Sequence, residues 1–102
     1  KSGRMSGTKG TQVMYDETSE AGKQFAQICL EEVTSEIGSV NKGLVKGDEI
    51  YIIRTSEVPV ALIEVGFMTN REELALLNSE EYQRQTAQGI YNAVIRAFEE
   101  GY

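Results

Sequence analysis

Histidine is the most informative absence from this chain of 102 residues, which contains none. Catalysis by a Ser–His–Asp or a Cys–His arrangement needs an imidazole, so neither arrangement can be built from this sequence alone. Nearly every catalytic zinc site also uses at least one imidazole ligand. We therefore expect this chain to hold no metal ion on its own.

Four further shortages narrow the class of protein. A single cysteine, Cys29, excludes an internal disulfide bond. No apolar run approaches the length of a transmembrane helix, and no signal peptide opens the chain, so we expect any targeting segment to lie outside this sequence. The formal net charge of −6 lacks the basic excess of a nucleic-acid-binding protein, so nucleic acid is not an expected partner.

The residues that are present are typical of one globular domain, with 40% hydrophobic and 25% charged side chains. The start of the chain is different, because Lys1, Arg4 and Lys9 occur there among glycine and serine. Residues 1–10 are therefore predicted to form a flexible loop or arm and not a binding patch.

The next thirty residues or so predict a strand followed by a long helix. Thr11–Tyr15 is a short β-prone run, typical of a strand. Thr18 or Ser19 then supplies the N-cap of a helix that ends near Ile37, before Gly38. The apolar stripe of this helix contains Ala21, Phe25, Ile28, Cys29, Val33 and Ile37.

Two more strands are predicted in the middle of the chain. Residues 41–43 and 46–48 are rich in turn formers, and Ile50–Ile53 after them predicts the second strand. Val58–Val65 is an almost unbroken apolar run, interrupted only by Glu64. Such a run is typical of a strand buried on both faces, as in a parallel sheet.

Two capped helices are predicted near the end of the chain. Asn70 and Glu73 form an N-x-x-E capping pattern for a short helix, Arg71–Leu77, and Ser79 caps a last helix over about Glu80–Glu99. The apolar stripe of that last helix contains Tyr82, Ala87, Ile90, Ala93, Val94, Ala97 and Phe98. The element order predicts an α/β fold of the three-layer αβα type, with helices on both faces of a sheet. Three strands are few for such a sheet, so partner strands are expected to be missing.

Glu64 is the candidate for chemistry, because it ends an apolar run and a buried carboxylate costs several kcal/mol unless something pairs with it. At the carboxyl end of a parallel strand it would lie in the crevice where α/β proteins bind ligands, and Gly66 beside it would let a substrate approach. Two structural alternatives remain open at this point. Glu64 ends the strand at the surface, or it pairs with Arg54.

The remaining acidic residues and the cysteine favour structural roles. Adjacent residues point about 100° apart on a helix, so the pairs Glu31–Glu32, Glu72–Glu73, Glu80–Glu81 and Glu99–Glu100 do not converge on one site. Those in the first turn of a helix are favoured by the helix dipole. Cys29 lies on an apolar stripe without a basic neighbour, so it is predicted to be a buried core thiol.

Residues 59–70 read PVALIEVGFMTN. This segment resembles the last-strand motif of the zinc-dependent N-acetylmuramoyl-L-alanine amidases, which are bacterial cell-wall hydrolases. In that motif a proline and four apolar residues precede the catalytic glutamate, and Gly-Phe and Ser/Thr-Asn follow it. The similarity extends from about residue 10 to residue 98: residues 41–46 resemble the loop before the penultimate strand of the family, and residues 51–54 resemble that strand.

The resemblance implies a function and a cofactor. In the family, zinc polarises the amide carbonyl between the muramic acid lactyl group and L-alanine and activates a water, and the glutamate that matches Glu64 transfers a proton or orients that water. Gly66, Phe67 and Asn70 are candidates for shaping the cleft, while the residues that bind substrate stay undetermined. Lys42 stands where an arginine is common.

The resemblance also implies a missing part. Family members carry an earlier half with two zinc-binding histidines and a zinc-binding glutamate, so this chain is expected to be the C-terminal part of one catalytic domain and inactive alone. The expected partners are peptidoglycan, the missing N-terminal half and, through self-association, other copies of the chain. The expected location is outside the cell, in the cell wall or periplasm. The alternative is a non-catalytic remnant that binds peptidoglycan or a partner protein.

Overall fold

The computed structural model describes residues 7–102, which form three strands and four helices. The strands are β1 (Thr11–Tyr15), β2 (Asn41–Lys46) and β3 (Ala61–Glu64), and the helices are α1 (Glu20–Ile37), α2 (Tyr51–Thr55), α3 (Arg71–Leu77) and α4 (Glu80–Glu100). Most of the predicted arm, residues 1–6, lies outside the described residues.

The predicted helix boundaries are confirmed because local capping chemistry sets them. The Ser19 hydroxyl accepts the N–H of Gly22 at the start of α1, and Gly38 ends that helix in the left-handed conformation, with φ of 68°. The side chains of Asn70 and Ser79 cap α3 and α4 in the same way. The last helix ends at Glu100 and not at Glu99.

The prediction for the second strand was wrong. β2 is formed by residues predicted as a turn, and Ile50–Ile53 instead leads into helix α2. Gly43 has a φ of 89°, and the pairing of β1 with β2 shifts register near it, so the turn-forming residues make a β-bulge. In α2 only Ile53 is buried. Its side chain packs closely against Gly47, where a Cβ atom would lie 2.7 Å from Ile53 Cδ1.

The sheet has the strand order β2-β1-β3, with β2 parallel and β3 antiparallel to β1. The prediction that the run Val58–Val65 forms a parallel strand buried on both faces was therefore wrong. Only its last part is a strand, none of the β3 residues is fully buried, and Leu62 is 42% exposed. A continuous apolar run carries no information on strand direction, which explains the error.

The core lies between the sheet and the two long helices. Val13 on β1 is buried with Ala26, Cys29 and Leu30 of α1 and with Ala93 and Ala97 of α4. Gly89 lets the two helices approach closely, since a Cβ atom there would lie 2.9 Å from Val33 Cα. The α/β class is thus confirmed, and within residues 7–102 α1 packs directly on the sheet while α4 packs mainly on α1.

The apolar stripes of the two helices are only partly covered. On α1, three of the predicted residues are buried: Ile28, Cys29 and Val33. On α4, Tyr82, Ala93 and Ala97 are buried, whereas the larger stripe residues Ile90, Val94 and Phe98 stay exposed. An apolar surface on α4 is therefore left open in the described part of the chain.

Purified alone, this chain is expected to self-associate. In residues 7–102 the outer edges of β2 and β3 have no strand partner, and Phe98 on α4 is 76% exposed. Unpaired edges and apolar patches both favour association. Light scattering at several concentrations should show a mass that rises with concentration, and Leu62→Lys on β3 should lower that mass.

The control for this measurement is Ser35→Lys, which adds the same charge at an exposed position of α1. If the wild-type chain is a concentration-independent monomer with a cooperative melt, the expectation of an incomplete sheet is wrong.

Candidate functional site

Glu64 is the last residue of β3, and its carboxylate has one hydrogen-bond partner among the described residues. The Gln12 side-chain Nε2 donates to Glu64 Oε1 over 2.5 Å. The two residues are direct partners in the pairing of β1 with β3, so their side chains share one face of the sheet. Since β3 is antiparallel to β1, Glu64 lies beside the amino ends of β1 and β2. The prediction that Glu64 ends a parallel strand was therefore wrong for its pairing with β1, and its position in a ligand-binding crevice stays a prediction.

The predicted alternative, an ion pair between Glu64 and Arg54, is also wrong. The Arg54 guanidinium donates to the carbonyl of Asp48 and lies over the Tyr51 ring, 5.4 Å from its centroid. Within residues 7–102 no ion pair involves Glu64. Its side chain is half-buried and is held by a neutral amide.

The segment that follows Glu64 is fixed on both sides of Gly66. The Tyr82 hydroxyl of α4 donates to the Val65 carbonyl over 2.6 Å, and the Phe67 N–H donates to Glu73 Oε1 of α3 over 3.0 Å. A Cβ atom on Gly66 would lie 3.1 Å from Leu77 side-chain atoms, so close packing against α3 favours glycine at this position.

Glu73 is the residue whose role the sequence did not reveal. It is 6% exposed, and its Oε1 accepts the backbone N–H groups of both Gly10 and Phe67 over 3.0 Å. It therefore connects the start of β1 to the segment after Glu64. The N-x-x-E spacing indicated its capping partner Asn70 but not these two contacts, which depend on how α3 packs against distant parts of the chain.

Replacing Glu73 tests this connection. Glu73→Ala should leave the N–H groups of Gly10 and Phe67 without an acceptor, at a cost of about 1–3 kcal/mol for each buried group. Glu73→Gln keeps an acceptor oxygen and should cost less than half as much. Denaturation with urea measures both losses, and equal losses would show that the carboxylate charge matters more than the acceptor.

The three residues predicted to shape the cleft have structural contacts of their own. Gly66 packs against Leu77, the Phe67 ring has the Lys42 ammonium 5.9 Å from its centroid, and Asn70 accepts the N–H of Glu73 as the cap of α3. These contacts account for the residue types. Their role toward a substrate stays a prediction.

The structural interpretation of the other candidates is confirmed. Cys29 is 2% exposed, and burial raises the pKa of its thiol to about 11, which keeps it protonated and unreactive at neutral pH. Glu31 and Glu32 pair with Arg96 of α4 and so join the two long helices. Glu80 and Glu81 lie in the first turn of α4.

A resident zinc ion does not fit the donors of this chain. The whole sequence has no histidine, and in the part that the structure describes no group of three or more cysteine, aspartate or glutamate side chains could hold a metal ion. Glu64 contributes a single carboxylate whose partner is an amide. The described residues therefore offer no complete set of metal ligands.

The comparison with known proteins identifies the family. The model of the family Amidase_3, described as N-acetylmuramoyl-L-alanine amidase, matches residues 2–96. This chain belongs to the N-acetylmuramoyl-L-alanine amidases. They are hydrolases, and the resemblance inferred from residues 59–70 is confirmed.

Individual amidases and their relatives match over most of this chain. It is 34% identical over 89 residues to YqiI of Bacillus subtilis, covering 87% of this chain and 42% of that protein. It is 30% identical over 91 residues to the germination-specific amidase of the same organism, covering 89% and 38%. The crystal structure of an amidase from Clostridium difficile 630 superposes with a TM-score of 0.91 at 25% identity, covering 100% of this chain and 54% of that one.

These figures carry two consequences. The high TM-score confirms that the three-stranded α/β arrangement is part of the amidase fold. The chain spans about half the length of these proteins or less. None of the helices among residues 7–102 combines the length and apolar character that crossing a membrane requires.

Proposed function

We propose that this chain is the C-terminal part of the catalytic domain of an N-acetylmuramoyl-L-alanine amidase. The intact enzyme hydrolyses the amide bond between N-acetylmuramic acid and L-alanine in peptidoglycan, and it acts outside the cytoplasmic membrane, at the cell wall. The observation that carries the proposal is Glu64, which ends β3 within the segment PVALIEVGFMTN of a chain that belongs to the amidase family.

Glu64 is proposed as the proton carrier of this reaction. Hydrolysis of an amide needs a group that takes a proton from the attacking water and gives one to the departing amine, because an amine leaves poorly as an anion. A half-buried carboxylate with a hydrogen bond to only one of its oxygens among residues 7–102 suits both transfers. The other half of the domain is the partner that would supply the zinc ligands this chain lacks.

The alternative function is that of a non-catalytic remnant which binds peptidoglycan or a partner protein. Such a protein has no need for an acidic side chain at the end of β3. The presence of Glu64 at the end of β3 favours the enzyme, whereas the structural contacts of Gly66, Phe67 and Asn70 would be needed in either protein.

Product analysis distinguishes the enzyme from the remnant. The full-length protein is expected to release new L-alanine amino groups from purified peptidoglycan, with no increase in reducing sugar ends. Dinitrophenylation of the products measures the first quantity, and a reducing-sugar assay measures the second. Binding to peptidoglycan with neither product would support the remnant.

A further inference from the structure

The hydrogen bond between Gln12 and Glu64 joins two residues that lie far apart in the sequence. Gln12 Nε2 donates to Glu64 Oε1 over 2.5 Å, and the two residues face each other across the β1–β3 pair. The next pair on the same face of the sheet is Met14 with Leu62, which are apolar. Within residues 7–102, Gln12 is the only side chain that forms a hydrogen bond with the Glu64 carboxylate.

We propose that Gln12 is the positioning residue of Glu64 and keeps its carboxylate competent to carry a proton. This inference rests on the proposed function, in which Glu64 changes its protonation state during each cycle. The hydrogen bond occupies Oε1 and leaves Oε2 for the proton that is transferred.

The chemistry of the amide explains why glutamine suits this position. An arginine or lysine beside Glu64 would stabilise the ionised carboxylate and oppose its protonation. A glutamine is neutral and carries both a donor and an acceptor, so it can donate to the carboxylate or, after rotation of the amide, accept from the carboxylic acid. It can thus support Glu64 in both protonation states.

The neighbouring charged groups have other partners. Lys42 on β2 lies over the Phe67 ring, and Glu73 on α3 accepts the N–H groups of Gly10 and Phe67. Lys42 and Glu73 stay unchanged in the variants below, so differences between those variants report on the pair of Gln12 with Glu64.

The test uses the full-length zinc-loaded enzyme with Gln12→Leu, Gln12→Glu and Gln12→Arg. Gln12→Leu removes the donor and should lower kcat about 10- to 100-fold with KM within about twofold, because misplacing a catalytic group costs rate. The Glu variant places a like charge beside Glu64 and should move the acidic limb of the kcat profile to higher pH. The Arg variant should move that limb to lower pH.

Two controls separate this inference from a purely structural role. Gln24→Leu makes the same substitution on α1, where Gln24 bonds only to the exposed Glu20, and it should leave kcat and the pH profile unchanged. Zinc content and the melting temperature are measured for every variant. A structural role alone would not shift the acidic limb in opposite directions for Glu and Arg.

A double variant distinguishes failure of this inference from failure of the proposed function. In an enzyme already carrying Glu64→Gln, Gln12→Leu should cause no further loss of kcat. If Glu64→Gln abolishes activity while Gln12→Leu, Gln12→Glu and Gln12→Arg all keep the wild-type kcat and acidic limb, the role of Gln12 is wrong and that of Glu64 stands. If Glu64→Gln itself is fully active, both are wrong.

Discussion

Residues 1–102 purified alone are expected to release no L-alanine amino groups from peptidoglycan and to hold no stoichiometric zinc. The physical reason is the set of available ligands: the sequence contains no histidine, and among the described residues the Glu64 carboxylate is hydrogen-bonded to the Gln12 amide and belongs to no cluster of possible metal ligands. A catalytic zinc site typically needs three protein ligands, most often including imidazole. Loss of activity relative to the full-length enzyme should therefore be complete.

Metal analysis after dialysis and a turbidity assay on cell walls measure this expectation. The full-length enzyme under the same conditions is the control for substrate quality and zinc supply. One tightly bound zinc ion per isolated chain, together with clearing of cell walls, would contradict the account. Recovery of activity when the other half of the domain is added would support it further.

The helices were predictable from the sequence because their ends are determined locally. Ser19, Asn70 and Ser79 each accept a backbone N–H near the start of their own helix, and Gly38 adopts the left-handed conformation that ends α1. These contacts involve residues only a few positions apart. Sequence patterns of this length contain the information that sets them.

The strands were less predictable because pairing depends on distant residues. Ile50–Ile53 has the composition of a strand, yet only Ile53 finds a buried position and the segment turns into α2. β2 contains glycine and asparagine, which indicate a turn. In the structure these residues form a β-bulge within the parallel pairing with β1. β3 pairs with the other edge of β1 and runs antiparallel to it. An apolar run does not encode that direction.

The residues of the candidate site also differ in how far the sequence could predict them. Glu64 was identifiable from its own segment, because a carboxylate in an apolar run is unusual and the surrounding motif is specific. Gln12 and Glu73 were not, since their contacts with Glu64 and Phe67 arise only when β1, β3 and α3 assemble. Glu73 in particular resembled an ordinary acidic residue in a first helical turn.

Glu64→Gln in the full-length enzyme is expected to lower kcat by about 10²–10⁴-fold, which is the usual contribution of general acid–base catalysis. The amide keeps the shape of the side chain but carries no titratable proton. Zinc content and melting temperature should stay at the wild-type values. Glu57→Gln, the same change at an exposed carboxylate in the loop before β3, is the matched control and should leave kcat unchanged.

The rate of L-alanine amino-group release by Glu64→Gln, measured with the zinc content of the same sample, is the most direct test of the role of Glu64. The account predicts a rate at least about a hundredfold below wild type with one zinc ion still bound. A wild-type rate would contradict it, and so would a joint loss of zinc and stability, which would make Glu64 a structural residue.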